Sequence, residues 1–388
     1  MATAALALTL FASAPASAAP GDLDRSFGAD GRITLSLAHG GSQGNAVLVQ
    51  PNGRIVVGGW AYSRGFALMR LLRDGSLDRS FGGDGVVTTN FPTGPAVVSD
   101  LALDGHGRIV AAGLSEAWMA VARYLPDGSL DPTFGRGGMV TARYRDSQTS
   151  AEGVAIDGRG RVIAAGTASD RRWVLARFSS GGRLDQRFGD RGWATIDFGP
   201  GEEAARDLAL TPNGRIVVAG TGRQRLALAR FHRDGSLDRR FGSGGTVVTP
   251  GTARGTAAAL ALLPNGDLLA AGHSASAFLV RRFLPSGRPD PTYGTDGSAS
   301  GPSVDGLAFD VVVSSDRSAV VVGSQFERFT VARYLPGGSP DPGFGNEGVV
   351  QTRFPNYGPA EGVALMPNQR PVVVGQTGDR IGLARYDA

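Results

Sequence analysis

Two series of ionisable residues recur along the 388-residue chain. Aspartate returns at Asp24, Asp78, Asp131, Asp185, Asp238, Asp290 and Asp341, in steps of 54, 53, 54, 53, 52 and 51 residues. Arginine returns at Arg70, Arg123, Arg177, Arg230, Arg282, Arg333 and Arg385. Rings of carboxylates and guanidiniums could capture a polyanion or carry out acid–base chemistry. Equally, an Asp–Arg pair could lock one loop to one strand in every repeat, since Arg suits bidentate pairing with a carboxylate. A device present in every repeat builds a fold, whereas a site needs asymmetry, so both series read as structural.

The remaining chemical candidates are sparse. The strings Asp-Gly-Ser-Leu-Asp at 74–78, 127–131 and 234–238 space their acids like part of a calcium loop. They lack the further oxygens and the downstream Glu of such a loop, and an ordinary turn accounts for them. His39, His106, His232 and His273 lie far apart with no second ligand beside them, and no Ser sits in a nucleophile-elbow string. The chain has no Cys, which removes thiolate ligands, thiol nucleophiles and disulfides, and its basic residues are all Arg. No metal or cofactor is expected. The net charge of +4 is too small for a nucleic-acid footprint.

The tryptophans break the regularity. Trp60, Trp118 and Trp173 lie in or beside corresponding loops of three successive repeats. Loop-tip aromatics stack on sugar rings or anchor partner proteins, though they also pack between structural units. Trp118 with Arg171, Arg172 and Trp173 in the adjoining repeat, joined by Trp60, is the candidate ligand-binding patch.

Positioning these residues requires the repeat itself. The string Gly-Asp-Leu-Asp-Arg-Ser-Phe-Gly-Ala-Asp-Gly at 21–31 returns six more times, with an aromatic-Gly pair three residues after each Asp. Between copies lie four short apolar or β-branched runs, such as 86–89, 100–103, 108–112 and 119–124, separated by Gly, Pro, Asn and Asp. Four strands in a period of about 53 residues describe a propeller blade. The second and third runs after each motif are apolar on consecutive positions, as strands buried on both faces are. The first run mixes in Thr, Ser and Arg and suits an outer edge. The order is therefore outer, innermost, second, third, and each outer strand belongs to the preceding blade. The fold expected is an all-β, seven-bladed β-propeller over residues 20–388. Pairing of the first strand, at 31–37, with the last, at 381–386, would close it.

The unit Leu-Asp-x-x-Phe-Gly-x-x-Gly, then Gly-Arg-Ile-Val-Val-Ala-Gly, then Ala-Leu-Ala-Arg-Tyr-x-Pro-Asp-Gly-Ser resembles the delta-60 repeat family. These are bacterial β-propeller repeats, more distantly similar to NHL-type blades. Asp267 in place of Arg, Pro289 and Pro340 in place of Leu, and Tyr293 in place of Phe depart from the pattern. The resemblance implies a propeller and export, and it carries no catalytic residue.

The first 19 residues, apolar from Ala4 to Ala12 and then rich in small residues, read as a secretory signal cleaved after Ala18 or Ala19. No other apolar run approaches membrane-spanning length. The expected product is a secreted monomer that binds or scaffolds at the cell exterior, contacting protein or glycan without catalysis. The second reading is an enzyme, lyase- or glycosidase-like, with two or three acids or histidines converging on one mouth of the central channel. Two loop sets, from outer to innermost strand and from second to third strand, vary from blade to blade. The opposite face repeats, so a site is expected on the variable face.

Overall fold

The computed structural model describes residues 18–37, 41–61, 65–250, 255–274, 277–299 and 305–388. Most of the expected signal segment (1–17) and His39 lie outside them.

The described residues form seven antiparallel sheets and no helix. We number the blades by their innermost strands: Ser42–Val49, Ala96–Leu103, Gly153–Ile156, Ala204–Leu210, Gly255–Leu262, Leu307–Val313 and Ala360–Leu365. In each blade the chain runs outward from the innermost strand through two further strands to an outer one. In blade 5 the outer position is reduced to Ser298 and Ala299, which pair with Arg281 and Val280. The second and third strands are largely apolar, apart from the recurring Arg near the end of the third, because neighbouring blades cover both their faces. Ile55–Val57 and Phe66–Met69 of blade 1, for example, are buried. Each core cluster accordingly joins two blades, as where Val110, Met119 and Val121 of blade 2 meet Val162, Ala164 and Val174 of blade 3.

Ring closure follows the sequence expectation. Arg32–Leu35 pair antiparallel with Ile381–Ala384, Arg32 opposite Ala384 and Leu35 opposite Ile381. The first strand of the chain is thus the outer strand of blade 7, and the third strand of that blade is not left as an open edge.

The repeated motif welds blades together on one face. In blade 2 the Arg123 Nε donates to Asp131 at 2.8 Å, its Nη2 to Thr133 at 3.1 Å, and its Nη1 to the Ser180 carbonyl of blade 3 at 2.6 Å. The Phe134 ring lies 4.6 Å from the guanidinium carbon. Gly135 then donates its N–H to the Gly181 carbonyl of blade 3. A side chain at Gly135 would run into the Met139 carbonyl, and its φ of 58° lies in the left-handed region, so the motif keeps Gly after the aromatic. The Asp–Arg contact recurs in all seven blades: Asp24–Arg385, Asp78–Arg70, Asp131–Arg123, Asp185–Arg177, Asp238–Arg230, Asp290–Arg282 and Asp341–Arg333. Arg70, Arg177, Arg230, Arg282 and Arg385 also reach a carbonyl of the next blade, as Arg123 does. Arg333 departs from this and turns to Asp316 of its own blade.

Candidate functional site

On the opposite, variable face the innermost strands share an irregularity. In six blades the pairing with the second strand slips by one residue, and the unpaired residue is Asn45, Ser99, Arg206, Ala258, Phe309 or Glu361. In blade 3, Glu152 holds the same place, just before the paired run that starts at Gly153. A bulge of this kind re-aims a side chain. Here all seven residues line one cavity of about 690 Å³ at the channel mouth. Glu202, Gln224, Thr256 and His273 complete its charged and polar rim.

The cavity holds three carboxylates, one guanidinium and one imidazole. Burial pushes the Glu152 carboxyl above its ordinary range against the opposing pull of Ser150 and Arg206. Burial alone raises Glu361. His273, whose Nδ1 lies 3.1 Å from Thr256 Oγ1, is pushed down by burial and then by Arg206, which favours neutral imidazole. Arg206 is exposed to the cavity and has no carboxylate within 4.0 Å among the described residues. Acids and a histidine therefore do converge on one channel mouth. No group of three among the described residues could hold a metal ion.

Beneath this ring stand Asp100, Asp207 and Asp310, each one residue after a bulge. Each carboxylate accepts its following N–H and one from the next blade. Asp100 takes Leu101 and Val154 at 2.7 Å each, Asp207 takes Leu208 at 2.6 Å and Leu260 at 2.7 Å, and Asp310 takes Val311 at 2.7 Å and Val363 at 2.8 Å. Each is half-buried where the innermost strands converge on the channel. That burial pushes Asp100 up to about 6 and Asp310 up to about 7, and raises Asp207 with added repulsion from the other two. A carboxyl whose folded pKa exceeds its unfolded one stabilises fully below the ordinary value of about 3.9 and loses that contribution as pH rises through the folded pKa. The motif aspartates, with lowered pKa values, act in the opposite sense and are already ionised by pH 5. Unfolding free energy should therefore fall between pH 5 and pH 8 more steeply in the parent protein than in Asp310→Asn. Equal slopes in urea titrations across that window would rule the effect out.

The five residues of the sequence-derived patch lie away from this cavity. Trp173 is fully buried, donates its Nε1–H to the Thr221 carbonyl of blade 4 at 3.0 Å and packs 4.7 Å from the Phe198 ring. Its ring points between blades and not to solvent, which corrects its assignment as a ligand contact. Trp173→Ala should cost about 3–5 kcal/mol of stability, measurable by denaturant unfolding. A change under about 1 kcal/mol would show that the ring carries little of that interface. Trp118 is half-buried beneath the Arg143 guanidinium at 4.9 Å. Trp60 is also half-buried, and its Nε1 donates to Gln43 at 3.2 Å. Arg171 reaches the Gly201 carbonyl at 3.4 Å, and Arg172 sits 3.3 Å from Asp170 and 3.8 Å from Asp197. None of these five lines the channel cavity.

The other candidates resolve as turns. Asp74 Oδ1 accepts the N–H and hydroxyl of Ser76, and Asp127 and Asp234 do the same with Ser129 and Ser236. His106 lies in a turn whose N–H donates to Asp104, and His232 is 3.7 Å from Asp238. The cavity residues were missed, although a signal for them exists. Ser99-Asp100-Leu101, Arg206-Asp207-Leu208 and Phe309-Asp310-Val311 repeat every second blade, with a non-recurring residue before each Asp.

Comparison with known proteins agrees on the architecture. Residues 50–81, 107–134, 211–241 and 315–344 match the family described as "Domain of unknown function (DUF5122) beta-propeller". No curated protein matches the sequence. A catalytically inactive virginiamycin B lyase from Staphylococcus aureus, solved with quinupristin, is similar over 91% of this chain and 98% of its own, with a TM-score of 0.60 and 11% identity. A streptogramin B lyase is similar over 92% and 97% (TM-score 0.61, 11% identity), and the WD40 β-propeller domain of Doa1 over 90% and 95% (TM-score 0.56, 12% identity). At these identities the likeness is one of fold. The chain is a β-propeller.

Proposed function

We propose that this protein is an exported, non-catalytic binding propeller whose ligand is a small polar molecule seated in the channel mouth. The observation that carries the reading is the 690 Å³ cavity on the variable face, with the Arg206 guanidinium in its wall unpaired among the described residues. Its volume falls within the range of about 300–1,000 Å³ that small-molecule sites occupy. A guanidinium free of a counter-ion is a ready hydrogen-bonding fork. Thermal-shift screening of a polar metabolite panel against the full chain should give hits that raise the melting temperature and disappear in Arg206→Ala. Hits that ignore Arg206, with hydrogen-exchange protection confined to the Leu-Asp-x-x-Phe-Gly face, would count against the site.

An enzymatic reading is favoured by one specific arrangement: His273, whose imidazole is pushed down by burial and Arg206, shares the cavity with Glu152, whose carboxyl is pushed up by burial against the pull of Arg206. Hits recovered chemically altered after incubation, and unaltered with His273→Asn, would select it over binding. The repeat unit supports membership of the delta-60 group, and the apolar leader supports export. Protein recovered from the culture medium should begin near Ala19 or Pro20, and retention in the cell with Met1 intact would remove export.

A further inference from the structure

The channel-mouth site also carries information about the chemistry of its ligand. Arg206 of blade 4 and Glu361 of blade 7 occupy the same bulge position three blades apart, the widest separation a seven-membered ring allows. Neither has a hydrogen-bonded or ionic side-chain partner among the described residues. Glu152 sits in the blade next to Arg206 but outside ion-pair distance of it.

The two arcs between these charges differ in character. At the bulge positions one passes through the apolar Ala258 and Phe309, with Thr256 and His273 of blade 5 beside them; the other passes through the polar Asn45, Ser99 and Glu152. Counting charge, three carboxylates face one guanidinium, so an anion without a cationic end meets net repulsion. A cation without an anionic end leaves Arg206 unpaired against the ligand.

We propose that the ligand is a short linear zwitterion of the free di- or tripeptide class, its carboxylate on Arg206 and its ammonium on Glu361. An apolar side chain would lie against Phe309, and the peptide amides would face Asn45 and Ser99. This rests on the channel-mouth reading and adds ligand polarity and direction to it.

Calorimetry on the full chain at pH 7 tests the assignment with five probes: Gly-Leu-Gly, its N-acetyl form, its C-terminal amide, 1,5-diaminopentane and glutarate. The free tripeptide should bind, and blocking either end should weaken it about tenfold or more. Arg206→Ala should abolish the penalty of amidation, and Glu361→Gln that of acetylation; melting curves of both variants report whether they fold. The diamine or glutarate binding at the cavity as tightly as the tripeptide would overturn the zwitterion while leaving a channel-mouth site intact. So would tripeptide affinity that is indifferent to end-blocking or to both substitutions. Should all five probes fail to bind, both the zwitterion and the small-molecule site would fall.

Discussion

Asp131→Ala is expected to destabilise the propeller by about 3–5 kcal/mol because it strands the buried Arg123 charge, and Arg123→Ala by a similar amount because it leaves Asp131 only the more exposed Arg108 at 3.4 Å and unties blade 3. Both side chains are 3% exposed. The Asp131 carboxylate spends its Oδ2 on Arg123 at 2.8 Å and on Arg108 at 3.4 Å, and its Oδ1 on the Thr133 N–H and hydroxyl. Arg123 in turn holds the Ser180 carbonyl and lies over Phe134, so its loss also opens the junction between blades 2 and 3. Denaturant unfolding of the two single variants and the double variant gives a coupling energy for the pair. A loss below about 1 kcal/mol, the range of exposed pairs, would show that the motif is decoration and would revive a functional reading of the ring.

Removal of the first strand should be as severe. A chain that starts at Gly41 lacks Arg32–Leu35, so Ile381–Ala384 become the exposed outer edge of blade 7. The deletion also withdraws the buried Phe27 and the half-buried Ile33, Leu35 and Leu37 from the cluster around Met69 and Leu383. With about 1.5–3 kcal/mol for each apolar side chain when fully buried, the loss of Phe27 and its three half-buried neighbours should be several kcal/mol. A sharply lower melting temperature is the expected result, with added aggregation through the exposed edge. An unchanged melting temperature would mean that the ring holds without its closing strand.

The fold was legible because its instructions are repeated seven times. The Asp, aromatic and Gly of each motif fix blade number, strand order and closure, and Asp267, Pro289, Pro340 and Tyr293 change none of these. The face of the cavity was legible too, since the variable loops mark it. Its residues were not. A bulge adds one residue to a strand, and where it falls is set by the pairing with the next strand, so Arg206 and Glu361 read as ordinary strand positions in the sequence. Trp173 was misread for a related reason: its place beside a loop can be seen in the sequence, whereas the direction of its ring, toward blade 4, is set by packing against Phe198 and Thr221.

The carboxylates beneath the cavity have a parity. Asp100, Asp207 and Asp310 bind blade 2 to 3, blade 4 to 5 and blade 6 to 7, which groups six blades into three couples and leaves blade 1 single. Alternation cannot run consistently around an odd-numbered ring; somewhere two like neighbours must meet. They meet where blade 7 joins blade 1, with Gly362 in one and Ala46 in the other standing where an Asp would be. A Cβ on Gly362 would come within 3.1 Å of the Asn45 carbonyl oxygen and 3.4 Å of the Ala46 Cα. The couples also number the mouth: Arg206 and Glu361 sit in the leading member of the second couple and the trailing member of the third. A perfect threefold molecule would present the same wall three times, and the unpaired blade is what gives this channel a front and a back.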